Sequence, residues 1–121
     1  MMGGGSRNYI EYAKISLRNL RYRNSHFTPA NIFGDPAWEI ILEAYIASKE
    51  DGSVQLADLA AGLRKPISIV ARLVNIMEGE GHLEQRRSLS GDIHLRLTTD
   101  SILWCEKFLE RQMDGEDSCN N

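Results

Sequence analysis

The stretch Lys65-Pro-Ile-Ser-Ile-Val-Ala-Arg-Leu-Val-Asn-Ile-Met-Glu-Gly-Glu-Gly81 decides the fold of this chain. Its apolar residues recur at the spacing of one buried helical stripe, namely Val70, Leu73, Val74 and Met77. Small or polar residues occupy the opposite side, namely Ser68, Arg72, Asn75 and Gly79. Pro66 suits a first helical turn, and Gly81 can take the left-handed backbone that ends a helix. The stretch therefore predicts a helix over residues 67–79 with an apolar back and a polar front.

The segments on either side of this helix complete a recognisable motif. A short helix is predicted from Gln55 or Leu56 to Leu63, and Arg64-Lys65 forms the turn between the two helices. Two helices joined by a short turn, the second with a polar front, are typical of a helix-turn-helix. Residues 83–88 and 93–97 then predict two strands, because the second strand alternates apolar and polar residues. The turn chemistry of Leu89-Ser-Gly-Asp92 joins them into a β-hairpin.

Three more helices surround this core. Residues 7–27 carry an apolar stripe and also a basic stripe of Arg7, Lys14, Arg18 and Arg21. That basic stripe is either an ordinary solvated face or an additional contact for phosphates. Asp35 and Pro36 can open the next helix, by capping and by fitting its first turn. The last helix, over residues 99–113, is apolar around more of its circumference than one contact uses, which indicates a second subunit.

The predicted organisation is one domain of 121 residues, mainly α with a small β-hairpin and therefore α+β in class. A winged helix-turn-helix over residues 33–98 carries an N-terminal helix at 7–27 and a C-terminal helix at 99–113, both expected to dimerise. Flexible or disordered ends are expected at residues 1–6 and 114–121, which are Gly-rich and polar respectively.

Charge is distributed unevenly along the chain, although the net charge is −3. Residues 6–27 carry five basic side chains and one acidic side chain, and residues 64–98 carry six basic and four acidic ones. The rest of the chain is acidic. A local basic surface can bind phosphates on a protein that is acidic in total, so nucleic acid is a candidate partner.

Catalysis, metal binding and membrane insertion find no support in the sequence. His26, His82 and His94 share no short ligand spacing, so no metal site is expected. No nucleophile stands beside a base and no Gly-rich phosphate loop follows a strand, so neither an enzyme nor a cofactor is expected. No apolar run approaches the ~20 residues that cross a bilayer. The two cysteines, Cys105 and Cys119, are too few for a disulfide framework, which favours a cytoplasmic location.

The order of elements, together with two stretches of sequence, resembles a known family. Residues 68–81, followed by Leu83 and by Leu95-Arg-Leu-Thr98, are similar to the recognition helix and wing of MarR-type winged-helix transcriptional regulators. Phe33-Gly-Asp-Pro-Ala-Trp38 resembles the helix opening of a group of short MarR-like bacterial proteins. The resemblance covers roughly residues 33–110.

The resemblance implies a function and a set of contact residues. It implies a homodimer held by the terminal helices, with the helix at 67–79 in the major groove of double-stranded DNA and the hairpin at 83–97 as a wing in the minor groove. It also implies a pocket for a small-molecule effector, which Trp38, Tyr45 or Trp104 could line. The DNA-binding residues it implies, together with the basic turn, are Arg64, Lys65, Ser68, Arg72, Asn75, Arg86 and Arg87.

Two isoleucines depart from the family pattern and leave a second interpretation open. Ile76 stands where the family often has a basic residue, and Ile69 stands where a small polar residue is common. They lie seven residues apart, so they share one helical face outside the core stripe. The alternative function is a winged-helix module for protein–protein contact, an adaptor or antagonist that does not read DNA. Arg72 likewise has two interpretations, a contact with DNA or a salt bridge to Glu78 or Glu80.

Overall fold

The computed structural model describes residues 8–26 and 36–119, with side chains described for 8–21 and 36–115. The predicted flexible segment 1–6 and the proposed Asp35 cap lie outside the described residues. The elements in chain order are α1 (Tyr9–His26), α2 (Pro36–Glu50), β1 (Val54–Gln55), α3 (Leu56–Leu63), α4 (Ile67–Gly79), β2 (Leu83–Arg87), β3 (Ile93–Leu97) and α5 (Thr99–Cys119).

Helix α4 has the predicted bounds, and both of its ends are set by the backbone. Pro66 is the N-cap residue and not part of the first turn, and its carbonyl accepts hydrogen bonds from the amides of Ile69 and Val70. At the other end Gly81 has a φ of +85°. The Gly81 amide donates to Glu78 O and the His82 amide donates to Met77 O, which is the hydrogen-bond pattern of a Schellman motif.

The small sheet has three antiparallel strands in the order β1-β3-β2. The hairpin β2–β3 pairs Leu83 with Leu97 and Arg87 with Ile93. The short β1 adds Val54 opposite Leu95, so β3 is the central strand. Ser88 and Asp92 close the turn of the hairpin through a hydrogen bond of 2.8 Å from Ser88 N to Asp92 O. The middle of β3 is therefore paired on both sides, with β1 and with β2.

One continuous apolar core holds the elements together. Val70 and Val74 are fully buried beneath α4 and Met77 is nearly so, while Leu73 of the predicted stripe is half-buried. The core includes fully buried residues from every layer, among them Ala13, Ile40, Leu42, Tyr45, Leu59, Leu95, Cys105 and Leu109. Burial of a Leu, Ile or Val side chain stabilises the fold by about 1.5–3 kcal/mol. This packing fixes which side of α4 faces outward.

Helix α1 docks on α2 through ion pairs as well as apolar contacts. Arg21 Nε donates to Glu39 Oε2 at 2.8 Å, and Arg21 Nη2 donates to Glu43 Oε2 at 2.6 Å. Lys14 Nζ donates to Glu50 Oε2 at 2.7 Å. Gly62 of α3 leaves room for the arginine, because a Cβ there would lie 2.6 Å from Arg21 Nη2. Two members of the predicted basic stripe are thus partners of α2, and phosphate contact by these two is not supported.

Helix α5 begins at Thr99 as predicted but ends later than predicted. Its N-cap is Thr98, whose Oγ1 accepts from Ser101 N at 3.2 Å and donates to Gly81 O at 3.0 Å. The helix continues to Cys119, so the predicted disordered tail from residue 114 is wrong over 114–119. A polar sequence does not by itself stop a helix, and no proline interrupts this segment. No helix in residues 8–26 or 36–119 is long and apolar enough to cross a membrane.

An open acidic groove runs beside α2 and β1. Its lining includes four carboxylates, Glu43, Glu50, Asp51 and Asp58, together with the ring of His94. His94 Nδ1 lies 3.3 Å from Ser53 Oγ. No residue of α4 lines this groove.

Candidate nucleic-acid interface

The polar front of α4 is exposed, as the helical periodicity predicts. Ser68, Arg72 and Asn75 are all exposed, whereas Val70, Val74 and Met77 on the reverse side are buried. Within the described residues Arg72 forms no ion pair, because Glu78 binds Gln85 and Glu80 lies 3.5 Å from the ring of His82. The predicted salt bridge from Arg72 to Glu78 or Glu80 is therefore not formed. The guanidinium is available to a ligand approaching the front of the helix.

The turn between α3 and α4 brings two more basic groups to the start of this front. Arg64 is exposed and Lys65 is half-buried. Arg64 has a φ of +58°, the left-handed conformation that favours glycine. The Arg64 amide donates to Ala61 O and the Lys65 amide donates to Ala60 O. Arg64 therefore ends α3 in a second Schellman motif. The tight turn places both cations next to the N-terminus of α4.

The two arginines of the hairpin lie on opposite faces of the sheet. Both are exposed, but they are neighbours in one strand, and successive strand residues alternate between faces. Arg87 shares its face with Gln85, which contacts α4. Arg86 shares its face with Glu84, and Glu84 binds Arg96 at 3.2 Å. The sequence prediction had grouped Arg86 and Arg87, but the pleat gives them different neighbours.

Gln85 joins the hairpin to α4 and was not singled out from the sequence. Its Nε2 donates to Asn75 Oδ1 at 2.7 Å and to Glu78 Oε1 at 2.8 Å. Its backbone amide donates to Glu78 Oε2 at 3.1 Å. The two carboxylate oxygens and both amide hydrogens are therefore used in one small network. The run of four polar or charged residues after Leu83 in β2 was the signal in the sequence, but the partner of Gln85 could come only from tertiary structure.

An apolar flank lies beside the polar front. Ile69 and Ile76 are 47% and 54% exposed, and Ile67 at the start of the helix is 51% exposed. Single exposed aliphatic side chains are common on protein surfaces, but Ile69 and Ile76 lie on one helical face and together form an apolar patch. The predicted separation of these isoleucines from the core stripe is confirmed.

Two of the three aromatic residues predicted as a possible effector site, Trp38 and Trp104, pack edge-on with ring centroids 6.2 Å apart, whereas Tyr45 lies in the core. Tyr45 is fully buried, and its hydroxyl donates to Glu106 Oε2 at 2.8 Å. Trp38 meets Phe108 edge-on with ring centroids 4.9 Å apart, and Phe108 stacks on Trp104 at 5.6 Å. Trp104 is still 55% exposed, and its neighbour Leu103 is 54% exposed. The cluster thus has one packed side and one open side.

Comparison with known proteins finds relatives in structure but not in sequence. No family model matches the chain, and no curated protein matches it. Among solved structures the chain is similar to MepR, a transcription regulator of the Staphylococcus aureus multidrug efflux pump MepA, at a TM-score of 0.62 and 13% identity, covering 93% of this chain and 82% of that one. It is also similar to Streptococcus pneumoniae FabT, solved in complex with DNA, at a TM-score of 0.55 and 17% identity, covering 89% and 80%.

These neighbours are MarR-type transcriptional regulators. The chain has their winged-helix fold, with five helices and a three-stranded antiparallel sheet within residues 8–26 and 36–119. The predicted fold class and the predicted resemblance are both confirmed, although the sequence identities to these two structures are only 13% and 17%.

Proposed function

We propose that this protein is a sequence-specific DNA-binding transcriptional regulator, and not an enzyme, that acts as a homodimer in the cytoplasm. Helix α4 enters the major groove, and the β2–β3 hairpin is the wing. One observation carries the proposal: Ser68, Arg72 and Asn75 stand exposed on a helix whose other side is locked into the core. The major groove, about 12 Å wide, admits an α-helix presented in this way.

The basic residues around α4 supply the affinity in this proposal. Arg64 and Lys65 contact phosphates beside the start of the helix, and Arg86 and Arg87 contact phosphates from the hairpin. Such contacts fix register and orientation, while base edges are read by the front of the helix. Arginine can bind guanine O6 and N7 through two hydrogen bonds, which is the role we assign to Arg72.

The homodimer is proposed from the open apolar surface of α5. Leu103 and Trp104 are more than half exposed, and the ends of the chain contribute the two helices that flank the winged helix. An exposed apolar patch of this kind marks an interface more often than a free surface. A two-fold dimer would place two copies of α4 in successive major grooves, about 10 base pairs apart.

The test is fluorescence anisotropy with a labelled pool of random-sequence duplexes across a salt series. The four basic groups proposed to contact phosphates, counted in both protomers, predict a slope of log affinity against log salt of about −7 for the dimer. Affinity should then fall roughly 10⁴-fold between about 50 and 200 mM salt. Arg64→Ala should weaken binding to the whole pool and reduce this slope by about two, whereas Arg18→Ala, a matched loss of an exposed arginine on α1, should change neither. Absence of binding at low salt would refute the proposal.

A second variant separates DNA binding from the alternative of protein contact. Ile76→Lys adds a cation beside Arg72, so a DNA-binding face should retain or gain affinity for the random pool. A protein-binding face should instead lose its partner, because the variant removes 54%-exposed apolar surface. A partner captured by the wild type, retained by Arg72→Ala and lost by Ile76→Lys would favour the adaptor and count against the regulator.

A further inference from the structure

A directed chain of hydrogen bonds runs from α4 through the wing and back to α4. Glu78 accepts from Gln85 at both carboxylate oxygens, over 3.1 Å from the backbone amide and 2.8 Å from Nε2. Gln85 Nε2 donates its other hydrogen to Asn75 Oδ1 at 2.7 Å. We call this arrangement the Glu78–Gln85–Asn75 relay. It lies at the edge of the exposed front of α4, where Asn75 itself is exposed.

The chemistry of the first member sets the direction of every later bond. A carboxylate only accepts hydrogen bonds, so the Gln85 atom that faces Glu78 must be the amide nitrogen. The amide nitrogen can only donate, so the Asn75 atom that faces it must be the oxygen. The Asn75 amide is therefore oriented with Nδ2 on the side away from the hairpin. Among the described residues no group accepts a hydrogen bond from Nδ2.

We propose that the relay fixes Asn75 as a hydrogen-bond donor towards DNA, so that it selects a keto base, guanine or thymine. This inference rests on the proposed function. Asn75 would be the specificity-determining residue, and Gln85 and Glu78 would be positioning residues that do not touch the base. An asparagine without such a relay can turn its amide and present one donor and one acceptor, the pair that matches adenine.

The major-groove edges of the bases explain the selection. Guanine offers two acceptors, O6 and N7, and thymine offers the acceptor O4. Adenine pairs its N7 acceptor with an N6 donor, and cytosine offers the N4 donor alone. A side chain restricted to donating meets only acceptors on the keto bases. Against adenine, an amide that donates to N7 would also bring its second hydrogen against the N6 amino hydrogens, whereas no donor of guanine or thymine opposes it in the major groove.

The experiment begins with selection of binding sites from a random duplex library by the full-length protein. The position read by Asn75 is identified as the one whose base preference disappears when selection is repeated with Asn75→Ala. At that position the wild type should prefer guanine or thymine over adenine by at least about fivefold. Replacing a preferred guanine at that position by 7-deazaguanine, which lacks the N7 acceptor, should reduce the affinity of the wild type but not that of Asn75→Ala.

Two relay variants then test whether the preference depends on the positioning residues. Gln85→Leu removes the amide and Glu78→Gln removes the acceptor-only group, so either should free Asn75 to turn and should raise the acceptance of adenine at that one position. The matched control is Gln55→Leu, a glutamine of β1 in the same sheet that forms no bond to α4. Glu78→Gln keeps the shape of the side chain, so it remains informative if Gln85→Leu folds poorly.

The possible outcomes distinguish failure of the relay from failure of the proposed DNA-binding function. Failure to select any DNA would overturn both. Selection of DNA with adenine preferred at the Asn75 position would overturn the relay alone, as would relay variants that lower affinity equally for every sequence. An Asn75→Ala variant that weakens all sequences alike would make Asn75 a phosphate contact, which also overturns the inference. A shift in base preference confined to one position would support it.

Discussion

Arg64 has the positive φ of a glycine position while carrying a long charged side chain. A left-handed backbone costs a non-glycine residue about 1 kcal/mol or more. The turn between α3 and α4 therefore contains a residue that is poor for stability at that position. Its charge stands next to the start of the exposed front of α4, where a phosphate contact would make use of it.

Replacement of this arginine should separate stability from binding. We expect Arg64→Gly to raise the free energy of unfolding by about 0.5 kcal/mol, since relief of the backbone outweighs the greater entropy of an unfolded glycine. The same variant should bind DNA more weakly because it loses a phosphate contact. Arg64→Ala is the control: it loses the charge but keeps the unfavourable φ, so it should bind as weakly without the gain. Urea denaturation and anisotropy give the two readings, and a less stable Arg64→Gly would contradict the account.

Cys105 is sealed in the core, and its chemistry should reflect that burial. Burial raises the pKa of the thiol to about 12, from an ordinary value of 9.0. The thiolate is the reactive form, so in a Cys119→Ser variant the remaining thiol should react with a thiol reagent no faster than the protein unfolds. Rapid reaction of the folded variant would show that the thiol is open to solvent.

The same pKa has a consequence for stability. Because the folded pKa lies above the unfolded one, the unfolded chain releases its proton first as the pH rises. The contribution of Cys105 to stability is therefore complete below about pH 9 and is lost between pH 9 and 12. Cys105→Ala should flatten that part of the stability curve.

Single residues differ in how far the sequence could place them. Arg72 and Asn75 were placed correctly because helical periodicity alone sets the exposed side of α4. Gln85 was missed because its partners lie seven and ten residues away in another element. No local pattern encodes a hydrogen bond between a strand and a helix, so the relay required the folded structure.

At the scale of elements, α1 is held on α2 by an arginine between two glutamates. The side chain of Glu39 is 6% exposed and that of its partner Arg21 is 35% exposed. A nearly buried carboxylate needs a partner, because an uncompensated buried charge is strongly destabilising. This pairing explains why a basic residue on the first helix faces the protein and not a ligand.

Loss of Arg21 should destabilise the fold without changing the affinity for DNA. Arg21→Ala should lower the free energy of unfolding by about 2 kcal/mol, less than for a fully buried pair because the arginine is partly solvated. Adding Glu39→Gln should recover part of the loss. The control Arg18→Ala should stay within about 0.5 kcal/mol. Calorimetry measures the shifts, and a stable Arg21→Ala protein with reduced DNA affinity would instead support the phosphate contact.

Element boundaries followed the sequence where local chemistry defines them. Gly81 and Thr98 end and begin helices as glycine and threonine commonly do, and the structure has α4 and the strands where the periodicity predicts them. The end of α5 was predicted six residues too early, because a polar segment was interpreted as disordered. A polar sequence indicates only that a segment has no apolar face to bury. It does not exclude a helix, because a helix can extend into solvent without an apolar face.

At the scale of the whole molecule, the proposed homodimer can be tested at the exposed side of the aromatic cluster formed by Trp38, Trp104 and Phe108. Leu103→Glu places a charge on a 54%-exposed position of α5, so we expect it to shift a homodimer to monomer at micromolar concentration. Leu89→Glu is the matched control, since Leu89 is fully exposed at the tip of the hairpin. Sedimentation velocity measures the mass. A wild-type monomer, or equal effects of the two variants, would refute this interface.

Under the proposed function, the four carboxylates of the acidic groove would also influence how a DNA duplex first meets the protein, because Lys14 and Arg21 pair with only two of the four. Their negative potential reaches about 8 Å into solvent at physiological ionic strength and repels a polyanion from the α2 side. Attraction remains on the side of α4, so collisions are oriented before any bond forms. A protein with a net negative charge would in this way still meet DNA mainly through its α4 side, and few encounters would occur in an unproductive orientation.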